Sequence, residues 1–211
     1  MQTKIRAIQR GTTTEIDAKA GQGGDLGMSQ FLPPFAQLCA AGAVFAFDMT
    51  AGTAKIPVAA FPTTSPEWGI YNANAGGGKH LVLLRVAALQ TSGTAGTGIV
   101  VGCATGKAAA TLVSANYSAT IVSCLDGTSK TPNAFLANNP TIVGGTPAWV
   151  YFDPSDSVAS GPIGKGVVAK VDGLIIAPPG GELFIEIVAP LGGACLYACT
   201  AVIAEVQLDL A

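Results

Sequence analysis

Along most of the chain, apolar residues come in short runs or in alternation, broken by Gly, Pro, Asn and Asp. In GELFIEIVAP, Leu183, Ile185 and Ile187 alternate with Glu182, Phe184 and Glu186. That is the period of a strand with one face in a core and the other partly exposed. Runs of this kind predict strands at about Val44–Asp48, Lys55–Ala59, Leu81–Gln90, Gly98–Ala104, Ala109–Val113, Ser118–Leu125, Ala148–Asp153, Val167–Ile176, Glu182–Val188 and Cys195–Leu208. Turn-forming clusters such as TSGTAGTG, LDGTSKTPN, VGGTP and APPGG separate them. No stretch keeps a helical apolar period for three turns, so helix is confined to a turn or two near Phe35–Ala41. Many short strands without a βαβ rhythm predict an all-β, antiparallel β-sandwich. A jelly-roll-like arrangement is the first expectation and an immunoglobulin-like one the second.

Two segments depart from this alternation. LVLLRVAAL, from Leu81 to Leu89, is apolar on both faces except for Arg85. A strand hidden on both sides of a two-layer sandwich needs a further cover. The face carrying Leu81, Leu83, Arg85, Ala87 and Leu89 is therefore expected to contact a neighbouring subunit or the N-terminal arm. That arm, residues 1–30, is polar and glycine-bearing with a basic start at Lys4, Arg6 and Arg10. It reads as an extended docking arm, with at most a short first strand. The paired prolines of FLPPF close it off, leaving residues 31–211 as one sandwich domain.

Charge sharpens the expectation of assembly. Charged residues make up 11% of the 211 residues, against about 25% in ordinary soluble domains. Seven of the charged residues lie in the arm, so the sandwich is sparser still. A monomer normally uses surface charge to stay soluble and to block edge-to-edge pairing. A net charge of −2 gives no reason to expect nucleic acid or an anionic membrane as partner. The longest apolar stretch, Phe35–Phe47, is short of the roughly twenty residues of a spanning helix and is interrupted by Gln37. The N-terminus lacks the apolar core of a secretory signal, so synthesis in a cytoplasm is expected.

Candidate chemistry is thin. YNANAGGGKH suggests a phosphate-binding loop, but Ala73 stands where that motif needs its first glycine and His80 where it needs Ser or Thr. The loop also opens a strand, which lacks the anion-attracting N-terminus of a helix. His80 is the only histidine, and no G-x-S-x-G elbow accompanies it. Glu182 and Glu186 share a strand face but lie about 13 Å apart by strand rise. Asp153 and Asp156 in DPSDS fit an ordinary turn. The five cysteines have no metal-ligand spacing and read as small buried hydrophobes. No catalytic residue, metal, cofactor or small-molecule substrate is expected. Trp68, Trp149 and Tyr151 would serve ligand stacking if exposed, and otherwise anchor the core.

The stretch from Ile70 to Val86 carries a resemblance. Tyr71, Asn72, Gly76, Gly78, Lys79, Leu81, Leu83, Arg85 and Val86 resemble a loop-and-strand element of β-sandwich virion structural proteins of tailed phages, with Gly77 replacing a serine. The resemblance spans about Ser65–Cys103. It implies a non-enzymatic capsid decoration or coat subunit, made in the host cytoplasm and located in the virion. Its implied partners are copies of itself, as a trimer first and a pentamer second, and other shell proteins. The alternative is a receptor- or glycan-binding head of a phage fibre.

Overall fold

The computed structural model of the chain describes residues 5–8, 15–18, 35–49, 54–76, 78–93, 99–107, 121–127, 132–152, 166–189 and 195–208. It divides into two units, Met1–Gln37 and Leu38–Ala211. In the first unit, β1 (Ile5–Ile8) and β2 (Glu15–Ala18) pair antiparallel, with Arg6 in register with Asp17. The expected arm thus contains a two-stranded ladder. Lys4, Arg10 and the predicted strand at 109–113 lie outside the described residues.

The short helix α1 (Ala36–Ala40) follows in the chain, within the segment where the sequence allowed one. Strands then follow as β3 (Val44–Asp48), β4 (Trp68–Asn72), β5 (His80–Ser92), β6 (Val100–Lys107) and β7 (Ile121–Ser123). They continue as β8 (Ala134–Asn138), β9 (Val150–Phe152), β10 (Gly166–Ala177), β11 (Gly181–Val188) and β12 (Leu196–Val206). Two antiparallel sheets form an all-β sandwich, in the orders β10-β5-β12-β3-β7 and β8-β4-β11-β6-β9. Consecutive strands cross from one sheet to the other at every step except β8 to β9, and no two consecutive strands of the sandwich pair with each other.

The alternation read from the sequence sets which side chains enter the core. Leu183, Ile185 and Ile187 of β11 meet Val86, Ala88, Cys199, Ala201 and Ile203 of the opposite sheet in one cluster. Trp68 and Ile70 of β4 and Phe45 and Phe47 of β3 extend it. Trp68 is 1% exposed, so it anchors the core and is unavailable for stacking a ligand.

Two expectations about faces are corrected. The other face of β11 is not exposed: Glu182, Phe184 and Glu186 are buried. A cover made from segments 58–67 and 139–149 lies over it. Val58 pairs with β11 through bonds to Ile187 and from Ala189, and the Ile142 N–H donates to the Thr64 carbonyl. Three outward glycines make room beneath this cover. A Cβ at Gly69 would strike Glu182 and Pro140, one at Gly102 the Phe61 ring, and one at Gly106 the Phe184 ring.

In β5 the sidedness changes along the strand. Arg85 is in register with Lys170 and Val202, and Leu83 with Ile175 and Ile203, so Leu84 has no partner on either side. This bulge shifts the alternation by one residue. Leu81 and Leu83 consequently point into the core and are 0% exposed, while Arg85, Ala87 and Leu89 remain on the outer face. Leu81 and Leu83 are not contacts for a neighbour.

Candidate functional site

The end of the sandwich is closed by a polar network built from the glycine-rich stretch. Asn72, at the end of β4, is fully buried. Its Nδ2 donates to the carbonyls of Lys79 and Ala177, both at 3.0 Å, tying one sheet to the approach to β5 and the end of β10 in the other. Its Oδ1 accepts from the Asn74 N–H at 3.1 Å and from Asn74 Nδ2 at 2.9 Å. Glu205 of β12 completes the network. Its Oε1 accepts from Asn74 Nδ2 and the Asn133 N–H, and its Oε2 accepts from Lys79 Nζ at 3.2 Å. Burial alone would raise the Glu205 pKa, but the bonds from Asn74, Asn133 and Lys79 outweigh it and hold the carboxyl below its ordinary value. Lys79 is committed to a carboxylate, and the loop closes on itself through Gly78 N–H to the Ala75 carbonyl. These bonds make the stretch a structural clasp across the end of the sandwich.

The outer face of the β10-β5-β12-β3-β7 sheet is different. Arg85 and Lys170 are direct cross-strand partners and both are exposed. Neither enters an ion pair among the described residues. Around them Leu89 is 49% exposed, Val168 41% and Leu174 77%. Leu174 stands beside a two-residue turn in β10, where Asp172 (φ 49°) and Gly173 (φ 85°) take left-handed backbone. Four residues, 171–174, here oppose the single Leu84, and this insertion pushes Leu174 outward.

A third cluster lies on the cover of the other sheet. Phe61 packs between Trp149 and Tyr151, with ring centroids 5.2 Å and 4.9 Å apart. Trp149 is half-buried, and its Nε1 donates to the Pro62 carbonyl at 3.1 Å. Tyr151 is 64% exposed and lines a groove of about 290 Å³ with Phe152, Val168 and Lys170.

Beneath that cover sit the two glutamates. Glu186 accepts the Glu67 N–H and its neighbour Ile187 N–H, at 2.8 Å and 3.0 Å. Burial nevertheless pushes its pKa up to about 7. Glu182 is 0% exposed, neither carboxyl oxygen has a hydrogen-bond partner, and burial pushes its pKa up to about 8. Phe184 lies between them on the strand, and all three side chains are buried.

His80 is 8% exposed, and its Nδ1 has no hydrogen-bond partner. No group of three His, Cys, Asp or Glu suited to a metal occurs among the described residues. No helix among them is long and apolar enough to cross a membrane. Cys103, Cys195 and Cys199 are buried, as expected from their type, whereas Cys39 is half-buried and Cys124 exposed. Sequence reasoning passed over Glu205, Lys170, Val168 and Leu174. A lone acid in an otherwise apolar final strand was the available signal for Glu205. The other three depend on strand pairing. No family model matches the chain, and no curated protein compared with it is similar.

Proposed function

We propose that the chain is a non-enzymatic structural subunit of a virus particle, a capsid decoration or coat protein that assembles with copies of itself. The observation that carries this is the outer face of the sheet containing β5: Leu89, Val168 and Leu174 are exposed around an Arg85–Lys170 doublet that has no ion-pair partner among the described residues. Such a face, in a chain with 11% charged residues, costs less when covered. The resemblance of Ile70–Val86 to tailed-phage virion proteins supplies the setting, and the strand-by-strand crossing between sheets suits a jelly-roll-like subunit. Lys4, Arg6 and Arg10 would dock the N-terminal segment on a neighbour or on the shell. A closed oligomer, a three-fold ring first, is then formed after synthesis in a host cytoplasm and incorporated in the virion. Light scattering on the purified protein tests self-association: a stable monomer at micromolar concentration overturns it. Detection in purified particles at a fixed copy number tests the location.

Exposed Tyr151 supports a second function, a receptor- or glycan-binding head. Stacking would use Tyr151 with Trp149 and Phe61 beside the β9–β10 groove. Protection of Trp149 emission from iodide by an oligosaccharide ligand would favour it. Protection on oligomer formation alone would favour assembly.

A further inference from the structure

We propose that Cys39 and Cys124 are a redox-active pair that closes into a disulfide within one chain in an oxidising medium, pinning the last turn of α1 to the β3–β7 edge of the sandwich. The bond does not depend on self-association.

The backbone sets the two residues around the same point, the start of β3. The Cys124 N–H donates to the Val44 carbonyl at 3.0 Å, which carries the β3–β7 ladder one step past Phe45 and Ser123. Cys124 is thus opposite Val44, and opposite residues of an antiparallel pair project to the same face. Phe45 and Phe47 point into the core, so Val44 and Cys124 are on the outer face. On the other side of Val44 the chain folds back sharply. The Ala43 N–H donates to the Leu38 carbonyl and the Gly42 N–H to the Cys39 carbonyl, with Gly42 at φ 67°. This two-bond helix end returns the chain against the last turn of the helix, so Cys39 stands beside the entry to β3. The two thiols are close enough to interact: burial, and then Cys39, push the Cys124 thiol above its ordinary value. Both residues belong to the unit Leu38–Ala211.

Access separates this pair from the other cysteines. Cys124 is exposed and Cys39 half-buried, whereas Cys103, Cys195 and Cys199 are buried. Burial pushes the Cys103 and Cys199 thiols far up, which keeps them protonated and inert. A small disulfide such as oxidised glutathione can supply the oxidant. The Cys124 thiolate attacks one of its sulfurs, and the first glutathione leaves as a thiolate that takes up a proton. The Cys39 thiolate then attacks Cys124 Sγ, forming the internal bond and releasing the second glutathione. Two protein thiols are oxidised and one glutathione disulfide is reduced to two thiols. The raised Cys124 thiol makes the first step faster as pH rises. A reducing cytoplasm keeps the pair open, and an oxidising exterior closes it.

The test is incubation of the full-length protein with oxidised glutathione at pH 8, followed by alkylation, peptide mapping and urea unfolding. The wild type should lose two alkylatable thiols and about 2 Da, with Cys39 and Cys124 in one linked peptide. The bond closes a loop holding β3 to β7, so the urea midpoint should rise by about 1 M and return on reduction. Cys39→Ser should stop at a glutathione adduct on Cys124, with the midpoint unmoved. Wild-type protein that also stops at that adduct, leaves Cys124 unmodified, or links two chains through Cys124 overturns the pair. A bond made instead to Cys103, Cys195 or Cys199 does so too. The expected bond without a rise in midpoint overturns the pinning of α1.

Discussion

Replacing Glu182 by Met should make the protein more stable at neutral pH and remove part of its pH dependence. Glu182 is 0% exposed, lies over Gly69 against Pro140, and neither carboxyl oxygen has a hydrogen-bond partner. Its carboxyl is held neutral, with a pKa of about 8 against an ordinary value of 4.5. The folded chain therefore keeps a proton that the unfolded chain releases. A raised folded-state pKa gives stability that is complete below about pH 4.5, falls as pH rises towards about 8, and is level above that. At about 1.4 kcal/mol per pH unit, the loss between pH 4.5 and 7 is about 3 kcal/mol. Methionine has similar volume and carries no proton. At pH 7 the variant should gain up to about 3 kcal/mol, with repacking costing less than about 1.5 kcal/mol of that. At pH 4.5 the two proteins should differ only by terms that do not depend on pH, the repacking cost and the relief of burying an unpaired neutral carboxyl. Urea unfolding at pH 4.5, 5.5, 7 and 8 measures this, provided the m-value is unchanged. Glu186 has the same sign of dependence and is present in both proteins, so it leaves their difference largely intact. A gap between variant and wild type that stays constant from pH 4.5 to 8 would refute a neutral, unpaired Glu182.

Three further outcomes follow from the packing. Asn72→Ala leaves the Lys79 and Ala177 carbonyls without their donor and should cost about 3 kcal/mol in urea unfolding; a loss below about 1 kcal/mol would mean the clasp is dispensable. Gly102→Ala drives a methyl into the Phe61 ring and should cost about 1–3 kcal/mol. Because Phe61 packs on Trp149, tryptophan emission should shift as well, and an unchanged spectrum with unchanged stability would contradict the packing. Refolding of the sandwich should take milliseconds to seconds, since no consecutive strands within it pair and every ladder closes a long loop; stopped-flow refolding complete in under a millisecond would be incompatible with that topology.

Much of the strand inventory was legible from local pattern. Val44–Asp48 is a strand as expected, and β5, β10, β11 and β12 fall within two residues of their expected bounds. Their apolar runs are long and bounded by clear turns. Lys55–Ala59 makes only isolated bridges, through Lys55 and Val58. β4 and β8 were not expected. WGIYN and AFLAN are five residues each, contain Gly, Ala and Asn, and resemble the loops beside them. They are strands because β11 offers β4 an edge and β4 in turn offers one to β8. That partner is more than a hundred residues away from β4, and no local window contains it.

The candidate site was legible in the same uneven way. Arg85, Ala87 and Leu89 were correctly placed on an outer face, while Leu81 and Leu83 were placed there wrongly. Counting by twos along β5 is valid only as far as Leu83, because the bulge at Leu84 arises from how β10 and β12 pair with it. The sequence of β11 likewise marked Glu182 and Glu186 as outward-facing, and they are; their burial comes from segments 58–67 and 139–149 folding over them. The sequence by itself determined the all-β class, the principal strands and the two sides of each regular strand, because these depend on backbone period and side-chain chemistry within a few residues. Only the tertiary structure decided where the period slips, which outer face is covered and which stays open. Those depend on contacts between segments far apart in the chain, and the open face with Arg85 and Lys170 is their product.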